Sequence, residues 1–233
     1  TGAGEQSDRL FDVGSNGGGI SVADPNATLS FTNTGPIQSP GNTFSKYGPG
    51  TLAYSFQTTL TGTNYIKGGV LRIPTVNLFG TERTIPVYVD GGALNINGQT
   101  MEDKPVVAKG LGDLTLGTTN GAIVNTGAAQ TQGLRFVTLA GNTAFGGTAR
   151  WDIRANPTAT LSTGGNPCNL LKVSANQISL VSVTVDPALA DIEVREGTLG
   201  YELSTTGLGN PANTLTVRGG AKLQTWSATT ALN

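Results

Sequence analysis

The chain has 233 residues, 14 Lys and Arg against 15 Asp and Glu, a net charge of −1, no histidine and one cysteine. Balanced charge without a basic tract speaks against nucleic-acid binding, which needs several phosphate-neutralising side chains. The lack of histidine removes the commonest general base and metal ligand, and with it every Ser-His-Asp or Cys-His arrangement. Charged residues make only 12% of the chain, about half the usual share. Thr, Ser, Asn and Gln therefore carry the solvated surface, a balance that suits an extracellular β-rich protein.

In chain order, a short phrase keeps returning: one or two glycines, an aliphatic residue, then alternation. It reads GGGISV at residues 17–22, GTLAYSF at 50–56, GGVLRI at 68–73 and GGALNI at 91–96. It returns as GTARWDI at 147–153, GTLGYEL at 197–203 and GGAKLQTW at 219–226. Alternation of period two is the signature of a strand with one face inward. Leu71-Arg72-Ile73, Leu94-Asn95-Ile96, Leu114-Thr115-Leu116, Trp151-Asp152-Ile153 and Ile192-Glu193-Val194 all show it. Arg72, Asn95, Thr115, Asp152 and Glu193 are the residues expected outside. Gly, Asn, Thr, Ser and Pro between the runs supply turns. No stretch of ten residues has helical periodicity, and Pro187 keeps the nearest candidate short.

The markers Leu71, Leu94, Leu114, Leu134, Trp151, Leu170, Ile192 and Leu215 stand 17 to 23 residues apart (151−134 and 94−71). That is too short for a helical hairpin repeat, and the Leu/Asn pattern of leucine-rich repeats is missing. One coil of a parallel β-helix fits. The expectation is an all-β, single-stranded solenoid of about ten coils, continuous over residues 1–233. Irregular stretches are expected between Pro74 and Pro86 and between Asn156 and Pro167. Each coil buries its apolar face against the next. The start at Thr1 and the strand-like run near the end suggest a piece of a larger exported protein. No run of about 18 apolar residues occurs, so no membrane insertion through a helix is expected.

Lys46-Tyr47-Gly48-Pro49-Gly50-Thr51-Leu52, then Leu60-Thr61-Gly62-Thr63-Asn64-Tyr65, then Gly68-Gly69-Val70-Leu71 resembles the autotransporter-associated β-strand repeat. Glu196-Gly197-Thr198-Leu199 with Gly207-Leu208-Gly209 and Leu215-Thr216-Val217 resembles its later half. Residues 142–153 look like segments that accompany these repeats in large bacterial surface proteins. The resemblance implies a right-handed parallel β-helix, secretion and a place at the cell surface, and it implies no catalytic residues. The even set of amphipathic strands and aromatic girdles of a membrane translocator is missing from this sequence.

Chemistry has few candidates. Cys168 lacks the His partner of a catalytic thiol and reads as a core or turn-edge residue. The carboxylate pairs Glu102/Asp103, Asp191/Glu193 and Glu193/Glu196 read as a solvated face, the last two balanced by Arg195. Gly14-Ser15-Asn16-Gly17-Gly18-Gly19 lacks the lysine and helix of a phosphate loop and reads as a turn. Arg150, Asp152 and Arg154 alternate outward on one run, and Arg135 and Lys172 are expected one coil away on either side. In register, they form a stripe: a ladder of ion pairs, or a groove for an anionic glycan. Trp226 is out of phase with Leu223, which turns it outward, to stack on sugar or pack on a neighbouring segment. Tyr54 and Tyr201 share the parity of Leu52 and Leu199 and belong to the core.

The expected function is a structural or adhesive segment of a secreted or cell-surface protein, whose partners are extracellular polysaccharide or neighbouring domains. A non-catalytic carbohydrate-binding module using Arg135, Arg150, Asp152, Arg154, Lys172 and Trp226 is the alternative. A polysaccharide lyase-like enzyme is the weaker one. No cofactor is expected, and no carboxylate cluster suggests a calcium site.

Overall fold

A computed structural model describes residues 4–33, 35, 41–54, 60–74, 78–80, 83–101, 103–112 and 120–231. The chain is a parallel β-solenoid of about nine turns, without a helix among the described residues. Its strands stack in columns that run along the solenoid axis. The second column is the longest, with ten strands: Glu5–Ser7, Thr28–Phe31, Thr51–Tyr54, Val70–Arg72, Ala93–Asn95, Ile123–Asn125, the end of Phe136–Gly147, Cys168–Lys172, Leu189–Val194 and Leu215–Val217. Ten strands make nine steps, one turn fewer than the spacing of the markers suggests.

The first column holds Gly18–Ser21, Phe44–Tyr47, Asn64–Ile66, Val87–Asp90, Val106–Gly110, the start of Phe136–Gly147, Thr160–Ser162 and Thr184–Val185. Among the described residues the third column holds Gln130–Leu134, Trp151–Arg154, Gln177–Val181, Thr198–Glu202 and Lys222–Trp226. The marker spacing is short where the markers leave register or change column. Leu134 pairs with Ile153 and not with Trp151, and Trp151 stands in the third column while Leu170 stands in the second, so 17 and 19 are not coil lengths. Measured within the second column, a coil takes between 19 residues, Leu52 to Leu71, and 29, Leu94 to Ile123.

Register lines like residues up with like, and this builds the core. Leu52, Leu71, Leu94, Ile123 and Phe145 form one inward stack, and Trp151, Ile178 and Leu199 another, each at most 1% exposed. Each such side chain contributes about 1.5–3 kcal/mol on burial. Tyr54 and Tyr201 lie inside as their parity predicts, and Cys168 is buried. At the N-terminal end Phe11 packs on Phe31, Phe44 and Tyr54 at 4.9–5.9 Å between ring centroids.

Of the two stretches expected to be irregular, 156–167 carries the regular strand Thr160–Ser162. The 74–86 stretch carries no strand among its described residues, though Leu78 and Phe79 are buried there. The runs at 114–116 and Glu102 lie outside the described residues.

Candidate functional site

Arg150, Asp152 and Arg154 meet on the outer face of the third column. Asp152 aligns with Ser179 and Gly200, and Arg154 with Val181, Glu202 and Trp226. Arg150 donates from Nε to Asp152 Oδ1 at 2.9 Å and from Nη2 to Oδ2 at 3.0 Å. Arg154 Nη2 reaches the same Oδ2 at 2.7 Å. Arg150 Nη2 also touches Glu202 Oε1 at 3.4 Å and Ser179 Oγ at 3.5 Å. Asp152 faces outward as predicted, yet it is 0% exposed, because the two guanidinium groups roof it over.

Two cations and two carboxylates close on one another, which makes the cluster neutral. The Asp152 contact holds the Arg150 proton more firmly than usual, against the opposing pull of burial. A proton abstractor needs the opposite tuning. Both Asp152 oxygens are spent on guanidinium donors, so this face offers a rigid ionic ladder rather than a base.

The other predicted members do not join. Arg135 turns to Asp103, where it shares the carboxylate with Arg83, and the Arg83 hydrogen bond is the largest cause of the lowered Asp103 pKa. Lys172 is a correction: it lies inside the solenoid at 0% exposure, in register with Phe145 and Val194. Its parity with Leu170, two residues earlier, was the signal for this; charge alone suggested an outward place. Its Nζ donates to the carbonyls of Val173, Ser174 and Glu196 at 2.7–3.1 Å, and burial pulls its pKa down to about 8.

Lys46 repeats the arrangement in the first column, donating to Tyr47, Gly48 and Gly68 carbonyls at 2.7–2.9 Å. Both ammonium groups cap a turn and tie it to the next coil. Asn125 does the same with its carboxamide, donating to the Ala128 and Arg150 carbonyls, while Asn64 clamps Leu60 and Gly62 of its own coil and Asn176 clamps Gly146 and Ala149 of the preceding one. Buried carbonyls left without donors are costly, so these polar residues belong to the fold.

Of the remaining outward candidates, Trp226 is 55% exposed and stands beside Glu202. Asn95 points out but is buried, its carboxamide bound to Thr126 Oγ1 and the Asn97 amide. Glu193 pairs with Arg195 as expected, and also with Arg218. The stretch at 14–17 closes as a turn through Gly17 N to Gly14 O at 2.8 Å. A groove of about 750 Å³ runs outside the second column between Val70, Asn95, Val124, Val173 and Arg195. Among the described residues no three His, Cys, Asp or Glu side chains could share a metal ion.

A further face was missed by the sequence reading. Tyr65 and Tyr88 align on the outside of the first column, rings stacked at 5.0 Å and 21°. Lys67 Nζ lies 5.0 Å from the Tyr65 centroid. Tyr47, in the neighbouring outward row, is 44% exposed. The signal was again parity: Tyr65 alternates with the inward Asn64 and Ile66.

The geometry defines a parallel β-solenoid built of repeated coils. No family model, no curated protein and no solved structure matches the chain.

Proposed function

We propose that the chain is a structural or adhesive β-helical segment of a secreted or cell-surface bacterial protein, of the autotransporter-associated repeat type and right-handed. One observation carries this reading: the second column runs through ten parallel strands, with the same inward stack renewed at each coil. Such a body resists extension because each coil is held by its neighbours. The residues behind the family resemblance support it. Lys46 ties two turns together, Asn64 clamps the Leu60 and Gly62 carbonyls, and Leu52 and Leu71 stack inward. Gly48 has φ +73° and Gly50 has no space for a Cβ, which would lie 2.3 Å from the Asp24 carbonyl oxygen.

Pulling single molecules by their ends tests the stalk. Coil-by-coil unravelling should give repeated extensions of about 80 Å, the reach of one coil of extended chain. A single rupture at low force would count against the reading.

A second reading, non-catalytic binding of a polysaccharide, is favoured by Trp226, an exposed indole on an outer sheet face beside the Arg150–Glu202 cluster. Retardation of the protein in native gels cast with polysaccharides tests it, and free migration in every polymer would remove it.

A further inference from the structure

We infer that the outer face of the first column, centred on Tyr47, Tyr65, Tyr88 and Lys67, is a docking surface for an acidic polysaccharide laid along the solenoid axis. The inference rests on the polysaccharide reading above and names its ligand class and its face. Three of the five tyrosines of the chain stand here, while Tyr54 and Tyr201 are buried in the core.

Two adjacent outward rows make the surface. One contains Gly19, Ser45, Tyr65, Tyr88 and Val107; the other has Ser21 beside Tyr47 and Asp90 beside Lys109, with Lys67, just after Ile66, joined by its amide to the Lys46 carbonyl. Successive strands are about 4.8 Å apart, so five rungs offer a flat strip of roughly 20 Å. At Gly19 an added Cβ would come within 2.8 Å of Tyr47 Cε2. The missing side chain lets the phenol lie down against the sheet, which leaves its other side open. Sugar rings stack their C–H faces on such phenols, and the Tyr hydroxyls and the exposed Ser21 supply hydrogen bonds.

Charge selects the class. Asp90 is the one carboxylate in these rows, and Lys109 holds it at 3.2 Å. That leaves the Lys67 ammonium, exposed and leaning on the Tyr65 ring, as the surplus charge of the strip. A uronate carboxylate is its complement. On the third-column face Arg150 and Arg154 are answered by Asp152 and Glu202, and the exposed Lys222 stands apart in the last strand. Acidic polymer therefore meets an ammonium in contact with an aromatic platform on the first column, whereas Lys222 and Trp226 stand four residues apart on the third.

Affinity electrophoresis of the intact chain in gels containing polygalacturonate, alginate or neutral hydroxyethyl-cellulose tests this. The acidic polymers should retard the protein, and the neutral one should not. Lys67→Glu and Tyr47→Ala should each weaken retardation by about tenfold, since they replace attraction by repulsion or remove the platform. Circular dichroism of both variants should match the parent, as both positions are on the surface. Trp226→Ala should bind as the parent does. Equal retardation by the neutral polymer overturns the acidic class. Retardation that survives Lys67→Glu and Tyr47→Ala but is lost in Trp226→Ala overturns this face and keeps the polysaccharide reading. No retardation in any polymer overturns both.

Discussion

The outer faces of the first and third columns are built on the same sheet geometry and end in opposite states. On the third, Arg150, Arg154, Asp152, Glu202 and Ser179 consume one another's hydrogen-bonding capacity, and Asp152 is sealed from solvent. On the first, two tyrosines stack, a third lies half exposed, and one ammonium rests on a ring. A satisfied cluster stabilises the fold and has little left to offer a ligand. An aromatic strip with one surplus charge gains less from folding and keeps more for a partner.

The comparison breaks most sharply at Asp152. Asp152→Ala leaves Arg150 and Arg154 close together, with Glu202 as the remaining counter-charge. Loss of one member of a buried ionic cluster is strongly destabilising, and about 3 kcal/mol is expected. Urea unfolding measures it. Asp152→Asn, which keeps the shape and one acceptor oxygen, should lose less. If Asp152→Ala unfolds at the parental midpoint, the cluster is not structural and the contrast between the faces fails.

Lys172 sharpens the contrast from inside, since it is a charge that neither face holds. Lys172→Met keeps the apolar stem and removes the donor to three carbonyls, at an expected cost of about 2 kcal/mol near neutral pH. Alkaline titration then isolates the ammonium. The folded pKa is lowered to about 8, against roughly 10.4 in the unfolded chain. Between these values the unfolded state binds the extra proton, so the Lys172 contribution to stability rises with pH across the window. The rise should be present in the parent and absent from Lys172→Met. Identical slopes would mean that the ammonium is not buried as described.

Lys172 also shows where the sequence misleads. The parallel solenoid follows from glycine-aliphatic phrases, because period-two alternation and a short repeat leave few other ways to bury one face. Parity within a run then assigns most side chains correctly: Leu71, Leu94, Trp151 and Tyr201 inward, Trp226 outward. What parity cannot give is the column in which a run stands. That error shortened the coil and set Arg135 in a stripe with Arg150, whereas Lys172 joined the stripe because its charge outweighed its parity with Leu170. Only pairing across coils reveals that Arg135 turns to Asp103 and that Lys172 belongs with Phe145. Burial of an outward residue is equally hidden, as Asp152 shows, because the Arg150 guanidinium that roofs it also touches Ser179 and Glu202, 29 and 52 residues further along the chain.

The smallest effect is expected on the aromatic face. Tyr65→Ala removes the ring contact with Tyr88 and the platform under Lys67, and exposed cross-strand pairs of this kind contribute about 1 kcal/mol or less. The loss should be nearly the same in low and high salt, since ring stacking is not screened. The Asp152→Ala loss should depend on salt wherever solvent reaches the remaining arginines. Urea midpoints of the two variants at two ionic strengths therefore separate the faces by their chemistry. A Tyr65→Ala cost as large as that of Asp152→Ala would place the tyrosine ladder among the structural elements of the coil, where it would hold the fold rather than await a ligand.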